Sequence, residues 1–441
     1  MPIKADTLIN ARWVIPVQPR DSVLDHHTVV VTEGAIVDVL PAAMARERFD
    51  ATAVVDLPDH ALIPGLINLH THAAMTLMRG MADDLPLMTW LREHIWPVEA
   101  RMVSADFVRD GSLLACAEML RGGITCFNDM YFFPEATARA ALQAGMRAAI
   151  GMIAVEFPSA YATDATDYLS KGIALRDSLR DEALLSFCLA PHAPYTVSNA
   201  TFERIAIYAA ELDVPVHTHL HETQEEIRES LSTHGVRPLQ RLKAIGLLGP
   251  NLIAVHAVHV DPEDIALLAE HNCHVAHCPG SNLKLASGHA PVHALALAGV
   301  NIGLGTDSAA SNNRLDLLSE LRLAALLGKL GAGDAAALPA RQALEMATLN
   351  AARALGLEKK IGSIEPGKRA DLTAIHLGAA ELAPCYQPLS HIAYAAGREH
   401  VSHVWVDGHL RVSDGQLTSM DTADIIARAG FWRRKITQEM S

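Results

Sequence analysis

Within the α/β class, this sequence predicts a (β/α)8 TIM-like barrel carrying a small β-sandwich domain formed from both chain ends. Three observations predict it. Between about Ile63 and Leu357, short apolar β-branched runs alternate with helical patterns, and repeated β-then-α units make a parallel sheet. Four segments spread over that region, His70-Thr71-His72, His219, His256 and Asp307, each offer a metal ligand at the end of such a run or just after it. Barrel enzymes gather their catalytic side chains in this way, from the ends of several strands. Finally, β-like alternation recurs near both ends of the chain.

Taken in order, residues 1–62 alternate apolar and polar positions between turn signals, as at Thr7–Asn10, Thr28–Val31 and Val54–Leu57. A matching pattern returns at Ala370–Ile375 and Val401–Gly408, so residues 1–62 and 361–420 are expected to form one small β domain. Residues 63–360 carry the barrel. Its strand candidates are Ile67–His70, Gly123–Phe127, Leu185–Leu189, Val214–His217, Leu252–His256, Val275–His277 and Ile302–Gly305. Helical candidates between them are Phe107–Arg121, Ala200–Glu211, Pro262–His271 and Leu315–Leu327. That many units over that length suit a closed barrel better than an open doubly wound sheet. Dinucleotide and P-loop readings lack support, because neither glycine-rich phosphate loop occurs. Residues 421–441 read as an exposed helical tail.

The 441 residues are half hydrophobic and one-fifth charged, a globular composition. With 36 basic against 50 acidic residues the net charge is −14, which argues against a nucleic-acid partner but not against an uncharged nucleoside. No apolar leader opens the chain and no run is long enough to span a bilayer, so a cytoplasmic protein without membrane contact is expected. Six cysteines are too few for a disulfide framework in a chain this long. Cys273 and Cys278 flank His274 and His277, but a structural zinc site would need a second Cys/His cluster at finger-like distance.

His70 and His72 are two apart, so on an extended strand both imidazoles face one side and can reach one ion. His217, His219 and His221 alternate in the same way, and Glu222 follows. A carboxylate beside a metal can move protons rather than bind the ion; the plainer alternative is a first-turn helix acid, alongside Glu225 and Glu226. Asp307 can bind the ion, take a proton from water, or cap a helix beginning near Leu315. His256 is either a further ligand or a group that orients the water. Nitrogen ligands, a carboxylate and one open position define a catalytic rather than a structural site, and such an ion makes hydroxide available near neutral pH.

Pro64–His72, Met75–Gly80, His219-Leu220-His221-Glu222-Thr223 and Gly305-Thr306-Asp307 together resemble the amidohydrolase superfamily. Within it they look like the branch that deaminates 5'-methylthioadenosine and S-adenosylhomocysteine. The late Gly362–Leu372 segment extends the resemblance over nearly the whole chain. It implies one divalent ion per subunit, usually zinc, held by His70, His72, His219 and Asp307. Glu222 would protonate adenine N1 while activated water attacks C6; Asp307 would pass the water's proton to the departing ammonia, and His256 would steady the water. Glu99 matches the acid that accepts the ribose hydroxyls, and His192 a histidine that contacts the nucleoside, where guanine deaminases carry arginine. Some members bind the S-adenosylhomocysteine carboxylate through arginines that the loop 155–164 lacks, which favours the methylthio compound over S-adenosylhomocysteine and adenosine. Another purine or a triazine is the alternative substrate of the same site. Such barrels commonly self-associate, so a homo-oligomer is expected.

Overall fold

The computed structural model describes residues 2–440. Its N-terminal strands are β1 (Ile3–Val14), β2 (Leu24–Thr32), β3 (Ala35–Pro41) and β4 (Phe49–Pro64). The barrel strands are β5 (Leu66–Thr71), β6 (Ile124–Asp129), β7 (Arg147–Ala154), β8 (Leu185–Pro191), β9 (Val216–Leu220), β10 (Leu252–His256), β11 (His274–His277) and β12 (Asn301–Leu304). Four late strands follow: β13 (Leu372–His376), β14 (Val401–Val406), β15 (His409–Ser413) and β16 (Gln416–Leu417).

β5 to β12 lie side by side in chain order, each parallel to the next. Every residue of β5, β6 and β7 is buried, as expected of parallel strands covered on both faces. β12 is joined back to β5 through the buried Asn68. Its Oδ1 accepts Thr306 N–H at 2.9 Å, its Nδ2 donates to Thr306 Oγ1 at 2.7 Å, and Asp307 N–H donates to His70 O at 3.0 Å. The seam that closes the barrel is therefore also the seam that sets Asp307 against His70.

The strands from the two chain ends form one continuous sheet in the order β16-β15-β14-β13-β4-β1-β2-β3. It folds back on itself to give the two-layered, sandwich-like core. Ile9, Val29 and Ile36 from one wing pack in one buried cluster with Leu372 and Trp405 from the other, and Ile36 N–H donates to Lys368 O at 2.8 Å. β4 runs through Gly65 directly into β5. A Cβ at Gly65 would collide with the Thr125 side chain on β6, so only glycine allows this close passage.

Two elements differ from the sequence expectation. β7 was absent from the strand candidates because Ala148, Ala149, Gly151 and Ala154 give it little β-branched character. The tail helix Thr422–Met440 is docked rather than exposed: Ile425, Trp432 and Ile436 are buried along one seam. Trp432 Nε1 donates to Asp110 Oδ2 at 3.0 Å and its ring meets Phe107 at 5.2 Å. Among the described residues, no helix is long and apolar enough to cross a membrane.

Barrel and small sheet are joined by a buried ion pair. Arg147 on β7 donates to both carboxylate oxygens of Asp371, at 2.9 and 3.1 Å, with their side chains 5% and 1% exposed. Truncating one member of such a pair leaves a buried, uncompensated charge. Arg147→Ala is therefore expected to cost about 3–5 kcal/mol of stability, read as a lowered urea midpoint at unchanged slope; an unchanged midpoint would remove this pair from the account.

Candidate metal centre

β5 delivers His70, the residue after its end is His72, β9 delivers His219, β10 ends on His256, and Asp307 follows β12. All five come from the same end of the barrel. The Nδ1 atoms of the first three are already engaged: His70 with His217 Nε2 at 2.9 Å, His72 with Met130 O at 2.5 Å, His219 with His192 O at 2.7 Å. Partners of this kind fix ring orientation and leave Nε2 for an ion. Nε2 of His70 and of His72 each lie 3.3 Å from Asp307 Oδ1, and His70 Nε2 is buried without a hydrogen-bond partner. Ligand atoms of His70, His72 and His219 lie within 4.8 Å of one another, as do those of His70, His256 and Asp307.

Electrostatics favour the ligating forms of His70, His219 and Asp307. Burial lowers His70 to about 4 and holds His219 well below its ordinary value, so both present neutral lone pairs. Burial alone would raise Asp307, but contact with His70 and His72 pulls it well below the usual carboxylate range. Burial would lower His72, yet the same carboxylate raises it. Imidazole nitrogens packed against an ionised carboxylate around a partnerless buried nitrogen make a donor set that fits a divalent ion. Cys273 and Cys278 are free buried thiols and belong to no metal-competent group among the described residues.

Supporting residues hold this geometry. Asp307 Oδ2 accepts from Ser281 Oγ at 2.6 Å and Ser311 Oγ at 2.7 Å. The helix Leu317–Ala332 is capped by Asp316 instead, whose side chain accepts Ser319 N–H, so Asp307 is free of that duty. His256 Nδ1 pairs with Asn282 Oδ1 at 2.9 Å, and its Nε2 lies 3.8 Å from Glu222 Oε2. Glu226, not Glu222, serves the following helix: it accepts the backbone N–H groups of His221 and Glu222, both at 2.8 Å. Glu222 is thus left buried at the cavity, where burial raises it above an ordinary carboxyl. His221, His256 and Asp307 all take positive φ, at 55°, 72° and 60°, a strained conformation that recurs at functional sites. A Cβ on Gly305 would sit 2.8 Å from His70 Cβ, so glycine is required where β12 passes the first ligand.

A cavity opens over these residues. His72, His219, Glu222, His256, Asp307, Glu99 and His192 all line it. Glu99, on the helix Trp96–Met102, is no surface acid. Its Oε1 accepts Tyr131 O–H at 2.7 Å, and burial, opposed by that bond, raises it to about 7. His192 Nδ1 bonds Thr196 Oγ1 at 3.0 Å, and burial lowers its ring to about 3. Sequence reasoning missed His217 as the partner of His70, and also Tyr131, Ser281 and Asn282. The run Pro279-Gly280-Ser281-Asn282 directly after β11 was the available signal for the last two.

A parallel barrel with histidines and a carboxylate converging at one end defines a metal-dependent hydrolase. Residues 61–411 match the model of the amidohydrolase family, and the chain belongs to that family. A 5-methylthioadenosine/S-adenosylhomocysteine deaminase of Saccharophagus degradans is 49% identical over 98% of this chain and 97% of its own. An adenosine deaminase structure from Xanthomonas campestris with bound zinc is 50% identical, with a TM-score of 0.98 over 99% of this chain and all of that one. A mutant atrazine chlorohydrolase of Arthrobacter aurescens, complexed with zinc and atraton, has a TM-score of 0.91 at 25% identity over 97% of this chain and 100% of that one.

A divalent ion that binds only the folded state raises its stability in proportion to the logarithm of its excess over Kd. Added Zn²⁺ is expected to raise the melting temperature of the stripped protein, with His70→Ala and His219→Ala losing that shift and the bound metal. Metal content equal to wild type in both variants would contradict the ligand set.

Proposed function

We propose that the protein hydrolytically deaminates 5'-methylthioadenosine to 5'-methylthioinosine and ammonia, with one Zn²⁺ per subunit held by His70, His72, His219 and Asp307. S-adenosylhomocysteine and adenosine are weaker substrates in this reading. The observation that carries it is one cavity joining a buried acid near the candidate ligands, Glu222, to a half-buried acid, Glu99, in position to take a ribose. Deaminase relatives alignable over nearly the full chain support it.

When bound, the ion supplies Lewis-acid activation of water at neutral pH. The chain's own residues do the rest. Glu222, whose burial favours its protonated form, donates a proton to adenine N1, drawing electrons from C6. His256, held by Asn282, orients the attacking water. Asp307 takes one proton of the water and passes it to the amino group, so that the C6–N bond breaks with ammonia leaving; the remaining hydroxyl proton goes to the ionised Glu222, restoring it and leaving a C6 carbonyl beside N1–H. Glu99 accepts hydrogen bonds from the ribose hydroxyls, and His192 contacts the nucleoside.

The walls beyond the ribose are apolar, with Leu87, Trp90, Trp96 and Phe157 among them, which suits a methylthio group. The loop 155–164 contributes Phe157 here, while its Glu156 accepts Ser198 N–H at 2.9 Å. S-adenosylhomocysteine would have to place its carboxylate in the outer groove. There Arg228 is paired with Glu225, Lys284 with Asp83, and Arg241 is engaged with Asn199 and backbone carbonyls, leaving Arg92 as its partner. A triazine or a free purine on the same site would give Glu99 nothing to bind.

Ammonia release from the zinc-loaded protein tests the reading. Methylthioadenosine is expected to give kcat/KM near ~10⁵ M⁻¹s⁻¹, in the ordinary enzyme range, with little turnover of guanine. Absence of ammonia from methylthioadenosine, S-adenosylhomocysteine and adenosine alike would overturn it. Glu222→Gln should keep the metal and lose several orders of magnitude in kcat; wild-type turnover would remove its proton-donor role. Because Glu99 must be ionised to accept two hydroxyls, nucleoside kcat/KM is expected to fall as pH drops through about 7. Glu99→Gln should lose this limb, and an unchanged limb in that variant would assign it to another group.

A further inference from the structure

Glu320 lies on the helix Leu317–Ala332, 2% exposed, and no step above uses it. Its two oxygens hold two different loops. Oε2 accepts Gly280 N–H at 2.8 Å, and Oε1 accepts Asn312 Nδ2 at 2.8 Å. Asn312 Nδ2 also donates to Thr306 O at 2.7 Å, which fixes the orientation of that amide. The first, the connection after β11, forms the short helix Pro279–Lys284 and carries Ser281 and Asn282, which bond Asp307 and His256. The second follows β12 and carries Asp307 itself, with Ser311 on its Oδ2. A Cβ at Gly280 would collide with Glu320 Oε1, so the close approach of carboxylate to backbone exists only because residue 280 is glycine.

We propose that Glu320 is a positioning residue that clamps the β11 and β12 loops together and so fixes His256 and Asp307 relative to each other. The inference rests on the reading that those two residues handle the water and its proton. Burial pushes Glu320 up to about 8 against the lowering effect of these two bonds, so the clamp rests on geometry: each oxygen of one buried carboxyl accepts from a donor on a different segment. Both donors are fixed, one a backbone N–H and the other an amide already oriented by Thr306. A small relative displacement of the loops would then act on the chemical step rather than on nucleoside binding, since Glu99 and His192 lie on other elements.

Glu320→Gln keeps the size but turns an NH₂ toward one of the two donors, breaking one bond. With methylthioadenosine, kcat is expected to fall about ten- to a hundredfold, the scale of an ångström-sized misplacement, with KM and bound zinc per subunit unchanged. Asn312→Ala, which breaks the clamp from the other side, should lower kcat similarly. The double variant should be no worse than the weaker single, as for two members of one linkage. Wild-type kcat in Glu320→Gln, or a rise in KM alone, overturns the proposal. Should Glu320→Gln fail to fold or to hold zinc, Asn312→Ala decides it by the same kcat and KM criterion. His256→Ala separates the two levels: full activity there would sink the underlying reading, whereas its loss beside an unaffected Glu320→Gln would sink the clamp alone.

Discussion

The structure depends most on the contact between Asp307 and the two imidazoles of His70 and His72, 3.3 Å on either side. A buried carboxylate is costly unless it is paired and hydrogen-bonded. Ser281 and Ser311 satisfy one of its oxygens, which leaves the other for the histidines. The contact exists only if the last barrel strand closes onto the first. That closure runs through Asn68 and Thr306, with Asp307 N–H bonded to His70 O. Barrel closure and the gathering of His70, His72 and Asp307 are therefore one event, and a chain that failed to close would not bring them together.

Around this contact the supporting layers become progressively less specific to chemistry. Each ligand ring is held by its second nitrogen, through His217, the Met130 carbonyl or the His192 carbonyl. Those holders are fixed in turn by strands buried on both faces. Beneath them Arg147 and Asp371 join barrel to small sheet, and the tail helix packs Trp432 and Ile436 into the same cluster as Trp90, Ile95 and Tyr131 at the cavity wall. A tail remote in sequence thereby braces the wall that carries Glu99, which Tyr131 holds in place.

Much of this was legible in the sequence, for reasons that differ by residue. His70 and His72 could be read because strand geometry makes residues two apart face the same side. Asp307 and His256 could be read because each closes an apolar run. β7 could not, since alanines and a glycine buried on both faces leave no alternation to detect. The tail helix was misjudged because only three buried positions, Ile425, Trp432 and Ile436, carry its docking, while Ile426 and Phe431 stay exposed beside them and blur the apolar stripe. The roles of His217 and Tyr131 were invisible for another reason: their partners are distant in sequence and appear only when the strands are brought together. Glu99 and His192 were placed by family resemblance alone, and their positions in the cavity wall are structural information that no spacing rule supplies.

The most direct measurement is anomalous diffraction at the zinc edge from crystals of the zinc-loaded protein. A single peak at about 2.0–2.2 Å from nitrogens of His70, His72 and His219 and an oxygen of Asp307, the distances of zinc coordination, is the predicted result. A peak elsewhere, or one that Asp307 does not touch, would contradict the claim that barrel closure builds the metal centre.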